Sequence, residues 1–171
     1  IDTIIVKTQG FINGNIKEGD QNPVAIFSRL LDLYNGIEKD TLRENLRYFL
    51  NRIMSVCEMY GINMCIHPDD PPRQMLGLPR IVTDVEDIQW ILDAVDNPHN
   101  GLTFCAGSLS SGIQNNVPEM AERFAKRTRF VHLRSTDILD GGDFIEASHL
   151  EGRGYLIKLV KIFDEENPSL P

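Results

Sequence analysis

Leu102-Thr103-Phe104-Cys105 is a short apolar run that ends on a thiol, and two other segments repeat it with an imidazole: Met64-Cys65-Ile66-His67 and Arg129-Phe130-Val131-His132. A run of about four to eight apolar residues reads as a buried β-strand. Side chains alternate across a strand, so the face taken by the last residue is set by those before it. The three termini lie about 38 and about 27 residues apart, near one βα unit each, which predicts neighbouring parallel strands ending on one rim. His67, Cys105 and His132 are therefore the candidate metal ligands. Two imidazoles and a thiolate suit a divalent transition metal and leave a coordination position open. Singly, each has a plainer reading as a hydrogen-bonded histidine or a core cysteine. Their joint agreement with the strand period favours a shared cation and a metalloenzyme.

Helical periodicity fills the intervals. Pro23 can open a helix in which Val24, Phe27, Leu30, Leu31 and Tyr34 recur at helical spacing before Asn35-Gly36. Thr41 with Glu44 forms a capping-box pattern ahead of Leu42, Leu46, Phe49, Leu50, Ile53, Val56 and Cys57, and Gly61 supplies the stop. Thr83 or Asp84 caps a helix with Val85, Ile88, Ile91, Leu92 and Val95 on one face, and Pro118 opens another through Phe124 and Ala125. Leu156, Leu159, Val160 and Phe163 mark a closing helix. Helix and strand in alternation predict an α/β fold with parallel pairing and right-handed crossovers, of (β/α)8 TIM-barrel type. A complete barrel takes about 250 residues, so the expectation for residues 1–171 is a single domain that is an incomplete portion of one. Outside these elements lie a strand at Thr3-Ile4-Ile5-Val6, a mobile loop over 10–22, an irregular loop from Gly107 to Asn116, and a polar loop on the active-site side over 137–154.

Of 171 residues, 42% are hydrophobic and 25% charged, enough to bury one sizeable core. A formal charge of −8 opposes nucleic-acid binding, which needs a concentrated basic surface. No apolar stretch is long enough to span a bilayer and no signal-peptide pattern stands at Ile1–Gly10, so no membrane association is expected and the expected location is cytoplasmic. Three cysteines without a dense framework read as reduced thiols, with Cys57 and Cys65 as core residues.

Around the three ligands stand candidate substrate contacts. Asp69, like Asp70, can serve as a ligand, an acceptor for an imidazole N–H or a contact to a substrate hydroxyl; the alternative is an Asx-turn in the loop Pro68-Asp69-Asp70-Pro71-Pro72. Arg134, two residues past His132, can hold a substrate carboxylate bidentately or pair with one of those aspartates. Ser108, with Gly107, can offer hydroxyl and backbone N–H to an anion, although a Gly-Ser turn after a strand is common. His149 in Ala147-Ser148-His149-Leu150 reaches the site or stays on the surface. His99, in a turn at the opposite end of the strands, reads as structural.

Three stretches carry a family resemblance: His67-Pro68-Asp69-Asp70-Pro71-Pro72 with Gly77-Leu78-Pro79-Arg80-Ile81, Asn100-Gly101-Leu102-Thr103-Phe104-Cys105-Ala106-Gly107-Ser108, and Phe130-Val131-His132-Leu133-Arg134. The chain resembles the mannonate dehydratases, sugar-acid lyases of hexuronate breakdown on a metal-dependent, xylose-isomerase-like barrel. The resemblance implies that His67, Cys105 and His132 bind Mn2+ or Fe2+, that water is removed from D-mannonate to give 2-keto-3-deoxy-D-gluconate, and that the acid/base residues belong to a strand after Pro171. The expected partners are a small-molecule sugar acid and further copies of the chain in a homo-oligomer. Two other readings stand beside it: a sugar isomerase or epimerase of the same barrel type, against which the thiolate counts, and a non-catalytic barrel fragment that self-associates through open edges.

Overall fold

The computed structural model of the protein describes residues 22–170. The chain divides between Ile37 and Glu38 into two compact units. In the first, helix α1 (Pro23–Asp32) starts at Asn22, whose side chain accepts from the Ala25 N–H, and Pro23 needs no partner for its nitrogen there. The strand read at Thr3–Val6 and the loop read from residue 10 up to residue 21 lie outside the described residues.

In the second unit, three βα steps build the sheet. Helix α2 (Lys39–Tyr60) is followed by β1 (Met64–Ile66), α3 (Val85–Ala94) by β2 (Asn100–Cys105), and α4 (Ala106–Ser110) with α5 (Val117–Phe124) by β3 (Thr128–His132). The strands pair in parallel in the order β1-β2-β3. The hairpin β4 (Thr136–Ile138) and β5 (Phe144–Glu146) and helix α6 (Leu156–Glu166) close the unit. The architecture is α/β with consecutive βα units.

Alternation sorts the sheet's two faces. Leu102 and Phe104 are buried among Leu50, Ile88, Ile91, Met120, Leu159 and Phe163, with Met64, Ile66 and Val131 against the same cluster. Phe104 meets Phe163 edge to face at 5.2 Å, an arrangement that adds about 0.5–1.5 kcal/mol beyond area burial. On the other face stand Cys65, Thr103 and Phe130 and, one step further along, the three candidate ligands. The β2–β3 register shifts between Leu102 and Thr103: Leu102 lies opposite Thr128, but Thr103 lies opposite Phe130. One extra residue, Arg129, is thereby accommodated in β3, and Cys105 faces His132.

The structure departs from the sequence reading in four places. Helix α2 starts at Lys39 rather than at a capping box on Thr41 and Glu44; Glu38 is the N-cap and makes no side-chain cap, and Glu44 pairs with Arg47 instead. The reason is tertiary. Asp87 of α3 is fully buried and draws in Lys39 Nζ and Arg43 Nη2, each at 2.6 Å, together with the Thr83 hydroxyl. Cys65 is exposed, not core, because it alternates with Met64 and Ile66 onto the ligand face. The irregular loop after Gly107 begins as helix α4, and the polar stretch 137–154 contains the β4–β5 hairpin, turned at Asp140-Gly141-Gly142-Asp143 where both glycines have positive φ. Gly61 does end α2 in the left-handed conformation, and Asp84 caps α3 by accepting from the Asp87 N–H.

Candidate metal centre

Each candidate ligand stands at or just past the carboxyl end of its strand. The donor atoms of His67, Cys105 and His132 all lie within 4.8 Å of one another. Ligands held about 2.0–2.3 Å from one ion at tetrahedral angles lie about 3.3–3.8 Å apart, so the widest pair closes by no more than about 1.5 Å to hold one. Cys105 is fully buried, whereas both imidazoles are exposed on the open side. The His67 Nδ1 lies 2.7 Å from the Pro68 carbonyl, which accepts its proton and leaves Nε2 free to ligate, the arrangement a metal-bound histidine usually shows. His132 Nδ1 lies 3.3 Å from the Cys105 sulfur, and the two imidazole rings are 6.4 Å apart.

The sulfur is prepared as an anion. Burial alone would push the Cys105 thiol up, but hydrogen bonding with His67 and two donors from Ser108 bring it down to about 6. Ser108 gives its hydroxyl at 3.2 Å and its backbone N–H at 3.5 Å to that sulfur. His67 is correspondingly raised, first by its hydrogen bond with Cys105, against the opposing effect of burial, and then by the Pro68 carbonyl and the charges of Cys105 and Asp70.

The residues read as substrate contacts take distinct places. Asp69 gives one oxygen to the N–H groups of Ile81 and Val82 and the other to Arg80 at 3.1 Å, closing the loop after His67 on itself. Ser108 is wholly buried against the sulfur. Arg134 lies between two carboxylates, Asp70 at 2.5 Å from Nη1 and Glu146 at 2.5 Å from Nη2 and 2.9 Å from Nε. His149 is exposed beside Leu150 and Glu151 and does not join the three-donor group. His99 hydrogen-bonds Asn63 at the far end of the strands.

Glu146 is the neighbour that sequence reasoning missed. The guanidinium of Arg134 holds its carboxyl below the usual carboxylate range, and the charge of His132 adds to this. The turn Asp140-Gly141-Gly142-Asp143 is the signal that leads to it: once read as a hairpin, it sets Glu146 opposite Thr136, two residues past Arg134.

A family model for D-mannonate dehydratase (UxuA) matches residues 7–168. The chain belongs to the D-mannonate dehydratase family. The mannonate dehydratase of Marinomonas sp. (strain MWYL1) is 45% identical over 153 residues, covering 84% of this chain and 39% of that protein. That of Geobacillus thermodenitrificans (strain NG80-2) is 44% identical over 171 residues, covering 97% and 46%. The crystal structure of mannonate dehydratase from Streptococcus suis serotype2 superposes with a TM-score of 0.76 at 35% identity, covering 81% of this chain and 41% of that one. The chain thus spans under half the length of the mannonate dehydratases it matches, and what they share with it includes all three candidate strands. No helix among the described residues is long and apolar enough to cross a membrane.

Proposed function

We propose that this chain carries the cation-binding strands of a mannonate dehydratase, a hydro-lyase that takes water from D-mannonate to give 2-keto-3-deoxy-D-gluconate. The barrel expected from the sequence is the (β/α)8 form, of which the three βα units are a portion. One observation carries the reading: three donors of suitable chemistry, one from each of three successive parallel strands, meet in a chain of this family.

His67, Cys105 and His132 would hold Mn2+ or Fe2+, ions that accept imidazole and thiolate, with ion choice resting on availability as much as affinity. When bound, such an ion stabilises charge that develops on the substrate as the proton beside its carboxylate leaves. The chain's own residues prepare that site. Ser108 keeps the sulfur anionic through its two donors, and Pro68 orients the His67 ring. Arg134, Asp69, Ser108 and His149 are the substrate contacts read from the sequence, and of these Ser108 is turned to the sulfur and Asp69 to Arg80 and the backbone. Of these, Arg134 has the chemistry for the acid, because Asp70 and Glu146 occupy three of its five N–H groups and a carboxylate can take the others.

The test is to supply the chain with Mn2+ or, without oxygen, Fe2+, then add D-mannonate and follow the keto acid by NMR. Gel filtration with metal analysis accompanies it. A large complex with stoichiometric metal supports the reading, and product, whose acid/base groups are expected beyond Pro171, is not required of it. A metal-free monomer replaces it with the non-catalytic fragment.

A further inference from the structure

Three carboxylates lie on the loop that follows His67 and the hairpin that follows His132, and each is held by the protein itself. Asp69 is taken by Arg80 and two backbone N–H groups, while Asp70 and Glu146 share Arg134. The sharing is built in. A Cβ placed on Gly107 would lie 2.3 Å from Arg134 Cγ, 2.4 Å from Cδ and 2.8 Å from Cβ, so the arginine stem lies directly on the backbone two residues past Cys105. Only a glycine admits that approach, and it sets the guanidinium between the loop that follows His67 and the hairpin that follows His132. Asp70 lies within electrostatic reach of His67, and Glu146 within reach of His132. Carboxylate oxygen is a ready ligand for Mn2+ and Fe2+. A cation on three protein donors would accept such oxygens in the positions a substrate needs.

We propose that Arg134 withholds the Asp70 and Glu146 carboxylates from a cation held by His67, Cys105 and His132, and so keeps its remaining coordination positions open for the sugar acid. The inference rests on the cation reading above and adds a positioning residue to it.

Co2+ is the probe, because its thiolate charge-transfer band reports Cys105 and the strength of its visible bands falls as ligands are added. In Arg134→Met, checked for folding by circular dichroism, Co2+ is expected to bind about tenfold more tightly, the scale on which neighbours of metal ligands act. Its visible bands weaken, and adding Asp70→Asn and Glu146→Gln returns both readouts to those of the parent chain. In the parent background the same two substitutions leave the cobalt spectrum unchanged, a test that survives if Arg134→Met does not fold. An Arg134→Met spectrum and affinity equal to the parent's, or a parent spectrum that changes with Asp70→Asn or Glu146→Gln, overturns the proposal alone. A parent chain with no thiolate band overturns the cation reading and this inference with it.

Discussion

The buried Ser108 hydroxyl donates to the Cys105 sulfur at 3.2 Å, so a serine that reads from sequence as an anion contact holds an anion within the protein itself. The metal-free chain should show the ultraviolet absorbance of a thiolate titrating near pH 6. Removing a donor to the charged form raises the pKa, so Ser108→Ala should move that titration upward toward the ordinary thiol range. Cation affinity requires the thiolate and neutral imidazoles, and His67 is raised, so affinity should still climb with pH above 6 and fall by more than tenfold per unit well below it. Spectrophotometric titration and Co2+ binding across pH check both.

Cys105→Ser should lower retained metal after gel filtration by about tenfold or more, since an alcohol is a far poorer ligand than a thiolate at neutral pH. His99→Ala is the control, because that ring bonds Asn63 at the other end of the strands. Unchanged metal content in Cys105→Ser would remove the sulfur from the site.

Asp87 clamps α2 to α3. Its side chain is fully buried, while those of Lys39 and Arg43 keep 40% and 20% of their exposure. Breaking a fully buried pair costs about 3–5 kcal/mol; with partners this exposed, Asp87→Ala should cost about 2–3 kcal/mol in urea unfolding. Burial acts to raise the Asp87 pKa, but Lys39, Thr83 and Arg43 outweigh it and lower the value. The stabilisation is therefore complete above the unfolded-state pKa of about 3.9 and fades as pH falls through the lower folded value. Urea midpoints from pH 7 downward should show a shallower acid limb in Asp87→Asn than in the parent.

Gly107→Ala drives a methyl into the Arg134 stem. Overpacking of this kind costs about 1–3 kcal/mol. In the double variant with Arg134→Ala the two shortest contacts, to Cγ and Cδ, are gone and only that to Cβ at 2.8 Å stays, so the two changes should couple favourably by about 1 kcal/mol in a double-mutant cycle. Strict additivity would show that the two residues do not meet.

What could be read without coordinates followed the range of the interactions involved. His67, Cys105 and His132 were legible because strand period and βα spacing are local patterns, and α2, α3, α5 and α6 were legible from their apolar faces, whereas the five-residue α4 is too short to show one. The start of α2 was not, because the pull on Lys39 and Arg43 comes from Asp87, more than forty residues away along the chain. The pairing of Arg134 with Asp70, 64 residues apart, leaves no periodic trace, and the acid was foreseen only as one of two alternatives. The β4–β5 hairpin escaped because its strands are three residues each, too short for alternation to show. Cys65 is exposed for a plainer reason: an apolar run does not show whether both sides of its strand are covered, and the ligand side of β1 is open.

The shifted pairing between β2 and β3 makes the chemistry hostage to a single position. Were Arg129 paired rather than bulged, with Leu102 still opposite Thr128, Val131 would come to rest beside the sulfur while the imidazole rode past it. What the fold must keep is the match between that bulge and the residue it sets aside.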